Sequence, residues 1–140
     1  KEELMQDGQV THTRTSEYAS YIIESIVENK PYQIGGNVRN DGLIENLPRE
    51  ACVEVPCLVN GMGINPCHVG RLPTQLAAMN LTNINMQLLT IEAAMNRKRE
   101  TVYQAAMMDP HTAAELSIDD IVAMCDELLD AHKAHGFVDF

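Results

Sequence analysis

The chain has 140 residues, 45% of them hydrophobic, and a formal net charge of −10. That length fits one domain or part of a larger one, with apolar side chains enough for a core. The negative field disfavours nucleic acid as a partner, and no apolar run approaches the ~20 residues of a membrane span.

The first thirteen residues are polar and irregular, although "KEELM" has the composition of a helix end. No signal peptide is visible and the first residue is Lys1, so a piece of a longer protein is one expectation. A helix is predicted from Ser16 to Glu28. Tyr18, Ile22 and Ile26, with Ala19, Ile23 and Val27, recur at helical steps. Thr15 or Ser16 is expected to cap it, with Glu17 in the first turn. Lys30 precedes Pro31 and is pushed out of the α region, which ends the helix.

"YQIGGNV" predicts a short strand weakened by Gly35-Gly36, and Asn40-Asp41-Gly42 a turn. "GLIEN" fits another short strand. In "ACVEVPCLV", Val53, Val55, Cys57 and Val59 fall on one face, and Cys52, Glu54, Pro56 and Leu58 on the other. Pro56 cannot donate to a ladder, which predicts an edge strand or a bulge. "NGMGINP" reads as a turn and "CHVGRL" as a returning strand.

From Pro73 the pattern becomes helical. Ala77, Leu81, Ile84, Leu88, Ile91 and Met95 form a stripe of about six turns. It fits a core helix, or one that packs partly on a second subunit or domain. A further helix is predicted from about Arg99 to Met108, ending at Asp109-Pro110, with His111 a candidate cap for a short helix after it. The last begins at Ser117, with Ile118, Ile121, Cys125, Leu128 and His132 on one face. Arg97-Lys98-Arg99 is the one basic cluster and reads as a solvated helix junction. The expected fold is α+β, a small, mostly antiparallel sheet packed with long helices.

Candidates for chemistry are few. "GMGINP", residues 61–66, is superficially like a dinucleotide fingerprint, but its third glycine is a proline and no helix follows. Cys67 and His68 are adjacent on a strand and cannot chelate one ion together. His132 and His135 have a spacing that permits a shared metal, but His132 continues an apolar stripe. The four cysteines show no zinc or redox spacing and read as free, buried thiols of a reducing cytosol.

"NVRNDGLIENLP", "CVEVPCLV", "VGRLPTQLAAMNLTNINMQLLTIEAAM" and "AAMMDPHTAAELSIDDI", in that order, resemble the C-terminal part of family 4 glycoside hydrolases, the α-galactosidase branch above all. The likeness runs from about Ser16 to His132. It implies the C-terminal domain of an enzyme similar in fold to lactate and malate dehydrogenases, with residues 1–140 as that domain and the dinucleotide-binding half absent. In the family, NAD removes a hydride from C3 of the sugar, a base takes the C2 proton, and a divalent metal such as Mn²⁺ holds the sugar oxygens. The leaving group is eliminated, water adds, and the hydride returns. The glycine-rich fingerprint, metal-binding Cys and His, and acid and base of the family lie upstream of the matched region, and Cys52, Cys57 and His68 do not replace them. No cofactor or metal is therefore expected to bind this chain alone, and no catalytic residue is assigned. The free thiols point to the cytoplasm, and the apolar faces from Ala77 to Met95 and Tyr18 to Val27, left bare without the other half, to a homo-oligomer. The resemblance also implies an enzyme acting on an α-galactoside-type sugar. Asn40, Gly42 and Asn46 are the candidates for lining its sugar-facing cleft, since amides donate to and accept from hydroxyls. Turn chemistry is the alternative account of these three, and a non-catalytic packing or oligomerisation module is the alternative account of the chain.

Overall fold

The structure is a computed structural model, which describes residues 15–139. The possible helix end in "KEELM" lies outside those residues. Among the described residues the fold is α+β: five helices and a three-stranded antiparallel sheet of order β1-β2-β3. The elements run α1 (Ala19–Glu28), β1 (Tyr32–Arg39), β2 (Cys52–Asn60), β3 (Gly63–Pro66), α2 (Thr74–Asn96), α3 (Arg99–Met108), α4 (Pro110–Glu115) and α5 (Ile118–Ala134). No described helix is long and apolar enough to cross a membrane. Among the described residues the chain divides into two compact units, residues 15–34 with 56–65 and residues 35–55 with 66–139.

In the first unit, α1 starts three residues later than predicted. Tyr18 is its N-cap, with no side-chain hydrogen bond, so neither Thr15 nor Ser16 caps it. Its end is set by Asn29, which takes the left-handed conformation at φ 53°, one residue before the constraint from Pro31 applies. The apolar residues of α1 are largely uncovered: Ile23 is 64% and Val27 77% exposed. The buried residue is Ser25, whose hydroxyl proton is shared between Lys30 O at 2.5 Å and Val59 O at 2.8 Å. Asn29 also ties the helix end to the β2–β3 turn, its Oδ1 accepting from Gly61 N at 2.8 Å. Tyr21 stacks on Tyr32 with ring centroids 5.2 Å apart.

The strands hold most of the surprises. β1 runs unbroken for eight residues through Gly35-Gly36. A Cβ at Gly35 would stand 2.8 Å from Glu54 Oε1, so glycine there makes room for a side chain of β2. The alternation of β2 is as predicted: Val53, Val55, Cys57 and Val59 are buried and Cys52, Glu54, Pro56 and Leu58 exposed. Its position is not, since β2 is the middle strand. Pro56 is tolerated because β3 has four residues against the nine of β2 and pairs along only part of it. The return strand is "GINP", with Gly63 turning at φ 98°, and "CHVGRL" is irregular. "GLIEN" forms only an isolated parallel bridge, Ile44 with Gly70. Of the thiols expected to be buried, Cys57 and Cys125 are, whereas Cys52 and Cys67 are exposed.

The second unit contains α2–α5. In α2 the predicted stripe is covered at Ala77 and Ile84 and half-covered at Leu81 and Leu88, but Ile91 and Met95 are 58% and 78% exposed. Buried Ala93 takes over where α3 packs. In α5 the covered face is Ile121, Cys125 and Leu129, and Ile118 and Leu128 lie outside it. Asp109, not His111, caps α4, accepting from Thr112 N at 2.8 Å with Pro110 in the first turn. Ser117 caps α5, accepting from Asp120 N at 3.2 Å.

The basic cluster divides its work. Arg97 closes α2 at φ 53° and pairs with Asp139 at 2.7 Å. Arg99 reaches from α3 to α5, where its Nη2 lies 2.8 Å from Asp126 Oδ1 and 3.3 Å from Asp130 Oδ1. Its Nε donates to Tyr103 Oη at 2.7 Å, and Tyr103 donates to Asp126 at 2.5 Å. The Tyr103 hydroxyl and then Arg99 hold the Asp126 carboxyl below the usual carboxylate range. The Thr112 amide and hydroxyl do the same for Asp109. A depressed folded-state pKa stabilises the fold above the unfolded-state value, and that contribution is lost as pH falls through the folded-state value. Acid unfolding followed by circular dichroism should therefore show stability falling below about pH 4. The slope there should be shallower in an Asp109→Asn, Asp126→Asn double variant; an unchanged slope would assign the acid sensitivity to other carboxylates.

Candidate functional site

The loop from Asn40 to Ala51 is organised around one side chain. Asn40 is 0% exposed. Its Oδ1 accepts from Ile44 N at 2.7 Å, and its Nδ2 lies 2.9 Å from Ile44 O, 3.0 Å from Leu47 O and 3.0 Å from Pro48 O. Two amide protons thus serve three carbonyls. The backbone closes the same loop, with Asn40 N donating to Ala51 O at 2.8 Å and Asp41 N to Arg49 O at 3.0 Å. The predicted turn is present, with Asp41 at φ 41° and Gly42 at φ 97°.

Asn46 makes a reciprocal pair with the backbone of Leu72. Its Nδ2 donates to Leu72 O at 3.0 Å, and its Oδ1 accepts from Leu72 N at 2.9 Å. The side-chain amide thereby imitates one rung of a strand pair and extends the Ile44–Gly70 bridge. A Cβ at Gly42 would meet Arg49 Nη1 at 3.4 Å, and the positive φ strains any replacement.

Beside this loop lies a cleft of about 330 Å³. Ile44 and Leu47 come from the loop, Cys52, Val53 and Glu54 from β2, and Leu72 from the segment tied by Asn46. Asn80, Asn83, Ile84 and Gln87 come from α2. Ile44, Leu47, Val53 and Ile84 are buried and make an apolar floor; Cys52, Glu54, Asn80, Asn83 and Gln87 are exposed around it. A second hollow, between Tyr21, Ser25 and Tyr32 of the first unit, is about 140 Å³, below the usual size of small-molecule sites.

Of the three residues singled out from sequence, Asn40 and Asn46 are engaged with the backbone and set the positions of the cleft-lining Ile44, Leu47 and Leu72. Gly42 shapes the turn next to them. The row Asn80, Asn83, Gln87 was not singled out. Its signal is a polar spacing of three and four inside a helix read mainly by its apolar stripe. His132 and His135 both pack on Phe137, with ring centroids 6.1 Å away. His68 Nε2 lies 3.4 Å from Glu45 Oε1.

A family model described as "Family 4 glycosyl hydrolase C-terminal domain" matches residues 1–112. The chain belongs to the family 4 glycosyl hydrolases. It is 56% identical to an α-galactosidase of Bacillus subtilis over 94% of its own length, which is 31% of that protein. Among solved structures, it is similar to a 6-phospho-α-glucosidase from gut microorganisms in complex with NAD and glucose-6-phosphate. The TM-score is 0.72 at 27% identity, covering 81% of this chain and 25% of that one. It is also similar to a 6-phospho-β glucosidase from Thermotoga maritima with manganese, NAD+ and glucose-6-phosphate. There the TM-score is 0.66 at 26% identity, covering 83% and 28%. The chain thus spans about a third or less of the length of these family 4 relatives.

The donor sets of this family 4 chain do not match those two groups. Among the described residues no three His, Cys, Asp or Glu side chains gather where a metal ion would be held. The glycines of "GMGINP" shape a β-hairpin and do not open a helix that would receive a phosphate. No step through a metal or a nicotinamide is assigned to its side chains.

The two asparagines make different demands on the fold. Asn40→Ala removes the four side-chain hydrogen bonds that Asn40 makes inside the loop and strands buried backbone groups, for an expected loss of about 2–4 kcal/mol. Asn46→Ala removes a half-buried pair and should cost about 1–2 kcal/mol. Denaturant titration of both variants against the parent checks the order, and equal losses would contradict the loop geometry.

Proposed function

We propose that residues 1–140 are the C-terminal domain of an enzyme that hydrolyses α-galactosides by a redox elimination dependent on NAD and a divalent metal such as Mn²⁺. The observation that carries this reading is the 56% identity to the Bacillus subtilis α-galactosidase, against 26–27% to the two 6-phospho-glucosidase structures. NAD and manganese in those related structures support the cofactor assignment. In this reading the nicotinamide and metal belong to an N-terminal dinucleotide-binding half that these residues do not include. The enzyme works in the cytoplasm. The loop carrying Asn40, Gly42 and Asn46 borders the sugar-facing cleft, the two amides holding its wall. The chain alone has no glycosidase activity. An assay with an aryl α-galactoside, NAD, Mn²⁺ and a reductant should show no turnover by the chain. A longer protein that adds the dinucleotide-binding half should turn over, and a chelator should abolish that turnover. Turnover by the chain that is lost on mutating one of its own residues would overturn this.

A second reading, that the chain packs or oligomerises without chemistry of its own, is favoured by the uncovered apolar side chains of α1 and of the end of α2. Contiguous exposed apolar surface promotes association. The chain should therefore sediment as a dimer or higher form, and Ile23→Glu with Val27→Glu should shift it toward monomer. Sedimentation as a monomer at every concentration would remove the association claim.

A further inference from the structure

The β2–β3 turn holds a reactive dipeptide and the side chain that restrains it. Asn60 alone among the asparagines of the chain is followed by glycine. A glycine places no Cβ beside its own amide nitrogen, so that nitrogen can approach the preceding carboxamide more freely than any other residue's can. The turn is open to water: Gly61 and Met62 are exposed and Asn60 is half-buried. Asn40, by contrast, precedes Asp41 and is completely enclosed.

Gly61 does not itself take a positive φ; Gly63 does, at 98°. What glycine gives at position 61 is space. A Cβ there would stand 2.8 Å from Asn29 Oδ1 and 3.1 Å from Asn29 Cγ. The same Asn29 oxygen accepts from Gly61 N at 2.8 Å. Asn29 is held over the turn by its place at the left-handed end of α1, and α1 is fastened to the residue before Asn60 by the bond from Ser25 Oγ to Val59 O at 2.8 Å.

The Asn60 carboxamide is oriented as well. Its Oδ1 accepts from Met62 N at 2.8 Å and lies 3.4 Å from Asn65 Nδ2. These N–H dipoles draw electron density from Cγ and face the oxygen on which negative charge would gather during an attack. The electrophile is thus activated while the nucleophile is occupied. An amide nitrogen attacks only after losing its proton, and the hydrogen bond to Asn29 favours the protonated form.

We propose that Asn60-Gly61 is a site of spontaneous deamidation and that Asn29 is the residue that restrains it. Base removes the Gly61 amide proton, and the nitrogen adds to Asn60 Cγ. The Cγ–Nδ2 bond breaks, ammonia leaves with a proton from water, and a cyclic imide remains. Water then opens the ring, giving aspartate where the N–Cγ bond breaks and isoaspartate where the N–C bond of the main chain breaks. Nothing is oxidised or reduced: an amide and a water become a carboxylic acid and ammonia. Either product adds a carboxylate to a chain of net charge −10. Isoaspartate also lengthens the backbone next to Val59, where α1 is fastened.

The test is incubation of the 140-residue chain in mildly alkaline buffer, followed by peptide mapping with mass spectrometry. The parent should convert at Asn60 before any other asparagine. Asn29→Gly keeps the left-handed helix end and removes the acceptor. It should convert about three- to ten-fold faster, the worth of one hydrogen bond expressed as a rate. Amide hydrogen exchange should rise at Gly61 in that variant while the amides of β2 keep the protection of the parent. Adding Gly61→Ala to Asn29→Gly crowds the nitrogen without a clash against Asn29, and should bring the rate back to that of the parent or below. Conversion first at another asparagine, or an Asn29→Gly rate equal to that of the parent, would overturn the proposal. So would a double variant as fast as Asn29→Gly, or a faster rate accompanied by equal loss of protection along β2, which marks unfolding of the strand.

Discussion

One buried carboxamide holds the wall of the cleft. Asn40 is completely enclosed, and its amide replaces the strand or helix partners that a loop of this kind lacks. Buried backbone groups must be paired, and an irregular segment has no ladder to pair them. Asn40 satisfies an N–H and three carbonyls from a single side chain. Ile44 and Leu47 are thereby kept buried on the cleft floor. The Asn46–Leu72 pair then fastens the next segment to that loop. Both residues shape the cleft through the backbone they hold.

The helices of the same unit are held by a different kind of interaction. The buried residues of α3 are the small Thr101 and Ala105, and those of α5 are Ile121, Cys125 and Leu129. At its edge Arg99 joins two aspartates and a tyrosine of those helices. The Arg99 side chain is 31% exposed, so water screens the pairs and their value lies mainly in geometry. A planar guanidinium fixes directions that a lysine would leave free. The apolar side chains at the end of α2 lie beyond the reach of this packing and stay uncovered.

Membership of the glycosyl hydrolase family places the chain in a functional class without placing the chemistry in the chain. A fold and a function are carried by different residues. The described residues supply a walled, amide-rimmed cleft with a single carboxylate and no cation.

Much of the architecture was legible in the residue order because it follows from local periodicity. The alternation of Val53, Val55, Cys57 and Val59, the Asn40-Asp41-Gly42 turn, α3 from Arg99 to Met108 and the start of the last helix at Ser117 each depend on neighbours within a few positions. The likeness to the glycosyl hydrolases was legible for the same reason, as ordered strings. Where periodicity met a partner, the tertiary structure decided. Pro56 sits in a middle strand because the adjacent strand is short, and no local rule contains the length of a neighbour. Met95 continues the stripe of Ala77 and Ile84 in sequence yet stands in solvent, since covering a stripe needs a second surface. Asn40 has the composition of a turn residue, and only the return of Leu47 and Pro48 toward it turns its amide into the centre of a loop. The carboxamide row shares a cleft with Glu54 because a helix beginning at Thr74 and a strand beginning at Cys52 face it together. Their separation along the chain hid this, because spacing within one element predicts a face and never what that face will meet.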